Sequence, residues 1–237
     1  MIRVRRLGVR LLVPALVLSV AAHAARGAGA PQPTEADQLL SQLEIHYAQR
    51  LAQHRPDLAE RYRTPPYNTP FVPIDEASAE AHLSELRSML ADAETLPAGA
   101  RADTLRARLR REIADTGPGG ALRQDPLLWL DVIGAAARAP FGVGSSNGCD
   151  RTRRATLQLR TLPEALRGAI VLMRTAPLPD PAALEDRLTR VERLLRTDLP
   201  ARTEPCKESR YRAEFVEADS LAAASLAQYR HWLIAGD

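Results

Sequence analysis

Beyond residue 24 the chain has four histidines: His46, His54, His82 and His231. A zinc-peptidase helix needs two His four apart with a Glu beside the first. Both imidazoles then meet one ion and the carboxylate activates water. No H-E-x-x-H occurs in the chain. His46 and His54 are eight apart, two turns of helix, which is too far for one ion on one helix. His82 with Glu80 or Glu85 offers two ligands, and the sequence supplies no third. The histidines therefore read as surface or packing residues. No metal or other cofactor is expected. A minimal metal-dependent hydrolase using His46, His54 or His82 is the enzyme alternative.

The run Gly142-Val143-Gly144-Ser145-Ser146-Asn147-Gly148-Cys149 has the look of a phosphate cradle. It lacks the Lys-Ser/Thr end of a P-loop and the spacing of a dinucleotide turn, and it follows a helical pattern instead of a strand. The order around Ser145 is also wrong for a G-x-S-x-G nucleophile. No catalytic residue is assigned. Cys149 and Cys206 are the only two cysteines. Paired, they close a long loop, and a glycine-rich segment before Cys149 lets it reach Cys206. A disulfide fits an oxidising compartment.

The first residues carry Arg3, Arg5, Arg6 and Arg10, no acid, and an apolar stretch from Leu11 to Ala22. Ala22-His23-Ala24 supplies a small-x-small site. Residues 1–24 thus read as a secretory signal peptide cut after Ala24, with 25–33 as a flexible leader. The apolar stretch is too short for a comfortable bilayer span. Loss of those four Arg takes Lys+Arg from 32 to 28 against 29 Asp+Glu. The mature chain is near neutral, so no nucleic-acid footprint remains. The expected location is periplasmic or secreted, with no stable membrane span after cleavage.

Aromatics are only 4% of the chain, which argues against a large sheet protein. Helical spacing runs instead from end to end. Ala36, Leu40, Leu43, Tyr47 and Leu51 share one face, and Pro56 opens a short helix to Arg61. Thr64 to Pro73 holds four prolines and is excluded from helix. Helices follow from about Glu76 to Thr95 and from Ala100 to Asp115. The second of these turns Arg101, Arg106, Arg108, Arg110 and Arg111 to an outer, solvated face. Gly117-Pro118-Gly119-Gly120 marks a joint between two helical layers. Asp125-Pro126 starts a helix that is apolar nearly all round through Ile133, as a central helix is. A loop from Phe141 to Cys149 precedes a helix from Asp150, bent or interrupted at Pro163. Asp180-Pro181 opens the next helix, along Leu184, Leu188, Val191 and Leu195. The last aligns Tyr211, Phe215, Ala218, Ala222, Leu226, Tyr229 and Leu233, with Gly236 as its cap. The expected fold is all-α: an irregular bundle of about eight helices in a single domain over residues 34–237, stapled by one disulfide.

Ile45-His46-Tyr47-Ala48-Gln49-Arg50-Leu51, followed by Arg55-Pro56-Asp57-Leu58-Ala59, resembles the opening of a large bacterial family. It is the domain-of-unknown-function family numbered 885. The resemblance continues through Ala79 to Leu90, Asp125-Pro126-Leu127-Leu128-Trp129 and Leu159-Arg160-Thr161-Leu162-Pro163, and closes on Tyr229-Arg230-His231-Trp232-Leu233. Members of that family continue into a helical half that looks like a zinc metallopeptidase with an H-E-x-x-P-G-H motif. No such segment occurs in these 237 residues, so no zinc ligand or catalytic Glu carries over. The resemblance implies the helical, non-catalytic N-terminal half. The expectation is a non-enzymatic exported protein that binds a peptide or protein partner between its helices. A further reading is a remnant that needs a separate catalytic chain.

Overall fold

In a computed structural model, residues 33–64, 69–142 and 147–235 are described. The signal peptide, most of the leader and the Gly236 cap lie outside them. Ten α-helical segments and one π-helical segment occur among the described residues, with no strand. They are α1 (Glu35–His54), α2 (Pro56–Arg61), α3 (Glu76–Glu94), α4 (Ala100–Thr116), α5 (Ala121–Gln124), α6 (Pro126–Gly142), α7 (Gly148–Leu172), α8 (Pro181–Arg193), the π segment (Leu194–Asp198), α9 (Leu199–Thr203) and α10 (Ser209–Ala235). The rod from α8 through the π segment to α9 is continuous, and α5 is a single turn. The architecture is therefore one of eight helices.

Two apolar clusters organise the unit from Glu35 to Asp237. The first joins α1, α2, α3 and α4 through Leu43, Leu51, Leu58, Leu86, Leu105 and Leu109. The second is larger and is built from α6, α7, the α8–α9 rod and α10. Its centre is α6, which buries Trp129, Leu130, Val132, Ile133 and Ala135 through Ala137. An interior helix with this much apolar surface has neighbours on all sides. Trp129 Nε1 donates to Leu122 O (2.9 Å), and the Tyr229 hydroxyl donates to Pro126 O (3.0 Å). These bonds satisfy the polar ends of two buried rings and pin α5 and α10 to the start of α6.

The segment Gly117–Gly120 links α4 to α5. A Cβ at Gly120 would stand 2.2 Å from the carbonyl oxygens of Ala114 and Asp115. Only glycine lets the chain fold back this closely over the end of α4. Phe71, Ile74 and Ala79 come from the first half of the sequence yet pack in the second cluster, so the apolar interior crosses the joint.

Two expectations are corrected. First, α7 is one helix of 25 residues with Pro163 inside it. Proline removes one backbone donor, but Leu159, Leu162, Ala165, Leu166 and Ala169 are all buried around it, and that packing holds the rod. Second, α7 starts at Gly148, where the Asn147 side chain accepts from Asp150 N (2.8 Å). Phe141 and Gly142 belong to α6, and Cys149 sits in the first turn of α7, not in a loop. The helix opened by Asp180-Pro181 carries Leu184, Leu188, Val191 and Leu195 inward and runs on beyond them. Leu199 N bonds to Leu194 O, one residue further back than in an α-helix, across the π segment. That shift accommodates Pro200, which has no N–H to give.

Cys149 and Cys206 are bonded, with Cα atoms 4.4 Å apart and a sequence separation of 57. The bond ties the first turn of α7 to the turn before α10. Gly148 supports it, since a Cβ there would lie 2.9 Å from Pro205. Closing a loop of this length stabilises the fold by about 4 kcal/mol in the chain-entropy account. Urea unfolding with and without reductant is expected to show a loss of about 2–4 kcal/mol on reduction, reproduced by the Cys149→Ser, Cys206→Ser double variant.

Candidate functional site

The histidines that drew attention in sequence do not share one ion-binding point. His46 Nε2 donates to Glu85 Oε1 (3.1 Å) at the half-exposed edge of α1, beside Arg50, whose Nε donates to the same oxygen (2.6 Å). His54 and His82 stack, with ring centroids 4.6 Å apart and planes tilted by 45°. His82 is paired with neither Glu80 nor Glu85. Its Nε2 donates to Glu112 Oε1 (3.1 Å), and those two side chains are 1% and 0% exposed. Among the described residues no three His, Cys, Asp or Glu side chains converge as metal ligands do.

The pairing exposes a polar cluster that sequence reading missed. It lies under the α1–α2 corner and is fed by three further buried groups. Tyr47 is buried on α1, and burial, followed by the Glu112 charge, pushes its phenol well above the usual range. Arg55, 1% exposed, sits in the one-residue link between α1 and α2. Its Nε and Nη2 grip Asp57 (3.0 and 2.9 Å), and Nη1 lies 3.6 Å from Asp115. Burial works against the guanidinium charge, but Asp57, Glu112 and Asp115 outweigh it and hold Arg55 above its ordinary value. Thr116 completes the cluster one turn beyond Glu112.

A signal for Glu112 did exist. Ala102, Leu105, Leu109, Glu112 and Thr116 step by three, four, three and four and are the buried residues of α4. The inward stripe therefore passes through Glu112, while Ile113 flanks it. His82 likewise falls between Ala79 and Leu86 on the buried face of α3. On the Arg-rich outer face of α4, Arg101, Arg110 and Arg111 are exposed, while Arg106 is largely covered. Arg106 reaches across to the end of α3, donating to Ala93 O (2.9 Å) and Leu96 O, and pairs with Asp103 one turn back on its own helix (2.6 Å). It closes the carbonyl end of α3, where a cation is favoured. Arg108 lies 4.2 Å over the Tyr62 ring. Arg101 and Arg110 pair with Glu44 and Glu94.

What a ligand can reach lies outside the sealed cluster. α2 ends in a tight reversal: Thr64 N donates to Ala59 O (3.0 Å) and Arg63 N to Glu60 O (3.1 Å). This is the paired-bond motif that normally places glycine in the left-handed position. Here that position is Arg63, with φ 51°. Arg63 and Thr64 line two clefts. One, of about 400 Å³, runs between α2 and α6. Its floor is Ala52, Pro56, Ala59, Ala135, Ala139 and Phe141, and its charges are Arg63, Arg138, Arg202 and Glu60. Arg138 is already bound to Glu60 (3.2 and 2.6 Å), and Arg202 lies 5.7 Å over the Phe141 ring. The other cleft, of about 470 Å³, lies between α1 and α4 beside Tyr62, with Arg101 and Arg108 facing one acid, Glu44. The disulfide of Cys149 and Cys206 lines neither.

Two outcomes follow. His54 is held neutral by burial first and by His82 second, with its pKa lowered from 6.5 to about 4. The unfolded chain then binds the extra proton between those values, so this stabilisation is complete above pH 6.5 and lost as the pH falls towards 4. The total is about 3 kcal/mol at about 1.4 kcal/mol per pH unit. Urea unfolding at several pH values is expected to show that slope in the parent and a slope shallower by one proton in His54→Gln. Separately, Arg63→Gly relieves a left-handed side chain and is expected to gain about 1 kcal/mol in the same assay. Compared with known proteins, the chain finds no match among protein-family models, curated proteins or solved structures.

Proposed function

We propose that the chain is an exported, non-enzymatic helical protein that binds a peptide or protein segment through an anionic group in the cleft between α2 and α6. One observation carries this reading. Arg63, Arg138 and Arg202 face a small-residue, apolar floor with Glu60 as the only acid among the described lining residues, and Glu60 is already taken by Arg138. Neither Arg63 nor Arg202 has a carboxylate within ion-pair distance among the described residues. A cleft with an apolar floor and a few convergent polar groups is the usual form of a binding site. Guanidinium groups suit a carboxylate in particular, because their N–H edges match its two oxygens.

The non-enzymatic part rests on the sealed state of the acid–base chemistry. His82 and Glu112 are almost completely enclosed, so a substrate atom has no route to either. Export is supported by the Arg-flanked apolar segment before residue 25 and by a structural disulfide. No helix among the described residues is long and apolar enough to cross a membrane. The resemblance to the non-catalytic half of family 885 belongs to the same reading: helical spacing kept, H-E-x-x-P-G-H absent.

The test is a direct comparison of binding and turnover on the purified mature chain. A labelled glutamate-containing peptide is expected to bind by fluorescence anisotropy, to weaken in Arg202→Gln, and to remain uncut after long incubation with added zinc. Zinc-dependent hydrolysis that disappears in His82→Ala would instead establish the hydrolase alternative.

A further inference from the structure

We infer that the two clefts are a single groove for an extended acidic peptide, with Arg63 as the cation common to both lobes. This deepens the binding reading above and rests on it. Arg63 and Thr64 line both clefts, so the lobes meet at the end of α2. Together the lobes present five arginines and two glutamates. Each glutamate is already gripped at both oxygens, Glu60 by Arg138 and Glu44 by Arg101. Three cations remain without a carboxylate among the described residues: Arg202 in the first lobe, Arg108 in the second and Arg63 between them.

Their surroundings fit recognition better than solvation. Arg202 and Arg108 lie over the Phe141 and Tyr62 rings. A guanidinium stacked on a ring is held in orientation while its N–H edge stays open to an acceptor. Arg63 keeps a left-handed backbone that a glycine would adopt without strain. Strain of this kind at a cleft is a pointer to function. Small residues such as Ala48, Ala52, Ala59 and Ala139 line the lobes, which lets a partner's backbone approach closely. An extended strand turns alternate side chains to one face, so alternating carboxylates meet successive arginines.

A single-stranded nucleic acid fits less well. Such binding relies on open aromatic faces for base stacking, and the two rings here are already covered by arginine.

The experiment uses the purified chain with its disulfide intact. The probe is a labelled peptide of alternating glutamate and alanine; a glutamine–alanine peptide and an oligothymidine serve as competitors. Arg202→Gln and Arg108→Gln are each expected to weaken the acidic peptide about tenfold. The double variant is expected to show the product of the two effects. Arg63→Gly is expected to lose at least as much affinity while its Tm holds or rises, which separates ligand contact from folding. If Arg202→Gln weakens binding and Arg108→Gln leaves it unchanged, the first cleft stands alone and the groove is overturned. If neither variant changes the affinity, or the acidic peptide does not bind, both readings fall. Tighter binding of oligothymidine than of the acidic peptide overturns the peptide assignment.

Discussion

A guanidinium taken out of water must be paired on the spot, and Arg55 meets that demand at the corner between α1 and α2. Its fork is filled by Asp57, two residues on in the first turn of α2, and its third nitrogen faces Asp115 at the end of α4. The local pair fixes the direction in which α2 leaves α1. The distant acid fixes where that corner sits against α4. Everything a ligand can touch on α2 and the turn that ends it, including Glu60, Arg63 and Thr64, inherits its position from this arrangement. Removing one partner of a buried pair leaves an uncompensated charge, which costs several kcal/mol. The corner is therefore a rigid base for the clefts, with little freedom to adapt to them.

The same region explains why the first half of the unit tolerates so many buried polar groups. Its apolar cluster is the smaller of the two, and it surrounds His54, His82, Glu112 and Tyr47 with leucine, methionine and alanine. Polar side chains in such surroundings tie particular helices together, as His82 Nε2 and Glu112 Oε1 (3.1 Å) tie α3 to α4. The second half takes the opposite course. α6, α7 and α10 interlock through a largely apolar interior; Trp129 and Tyr229 there satisfy the polar ends of their rings, and the buried Gln158 side chain accepts from Phe71 N (2.9 Å). A covalent link between α7 and the turn before α10 adds constraint that does not depend on packing.

The helices were legible in the sequence because a stripe every three to four residues is a local signal. Stripes such as Leu184-Leu188-Val191 and Phe215-Ala218-Ala222 need no tertiary knowledge, and the structure buries them. Proline was the weaker guide. Pro163 read as a bend or a break, yet burial on several sides carries α7 past it; at Pro200 a shift in hydrogen bonding carries the rod on. The candidate site was legible only in pieces. His54 and His82 stood out by residue type, but their partners come from other helices: Glu112 is 30 positions from His82. Within an Arg-rich segment Glu112 looks like one more surface acid, and only the spacing from Leu105 and Leu109 says otherwise. Arg63 gave no signal in sequence, because an arginine in a glycine position is recognisable only once the backbone is known.

Gly120 has a bearing on ancestry. Its missing side chain is required by two carbonyl oxygens of the main chain, which no neighbouring substitution can move aside. Gly148 is held in a similar way by the backbone beside Cys206. Apolar stripes drift freely between leucine, isoleucine and alanine over evolutionary time, so they fade as a record of descent. Two glycines fixed by backbone contact, set at constant distances from a cysteine pair, are a lasting fingerprint. A distant relative that shares this fold is best sought by that pattern of small residues and cysteines, and a similar helix count without it indicates a different lineage.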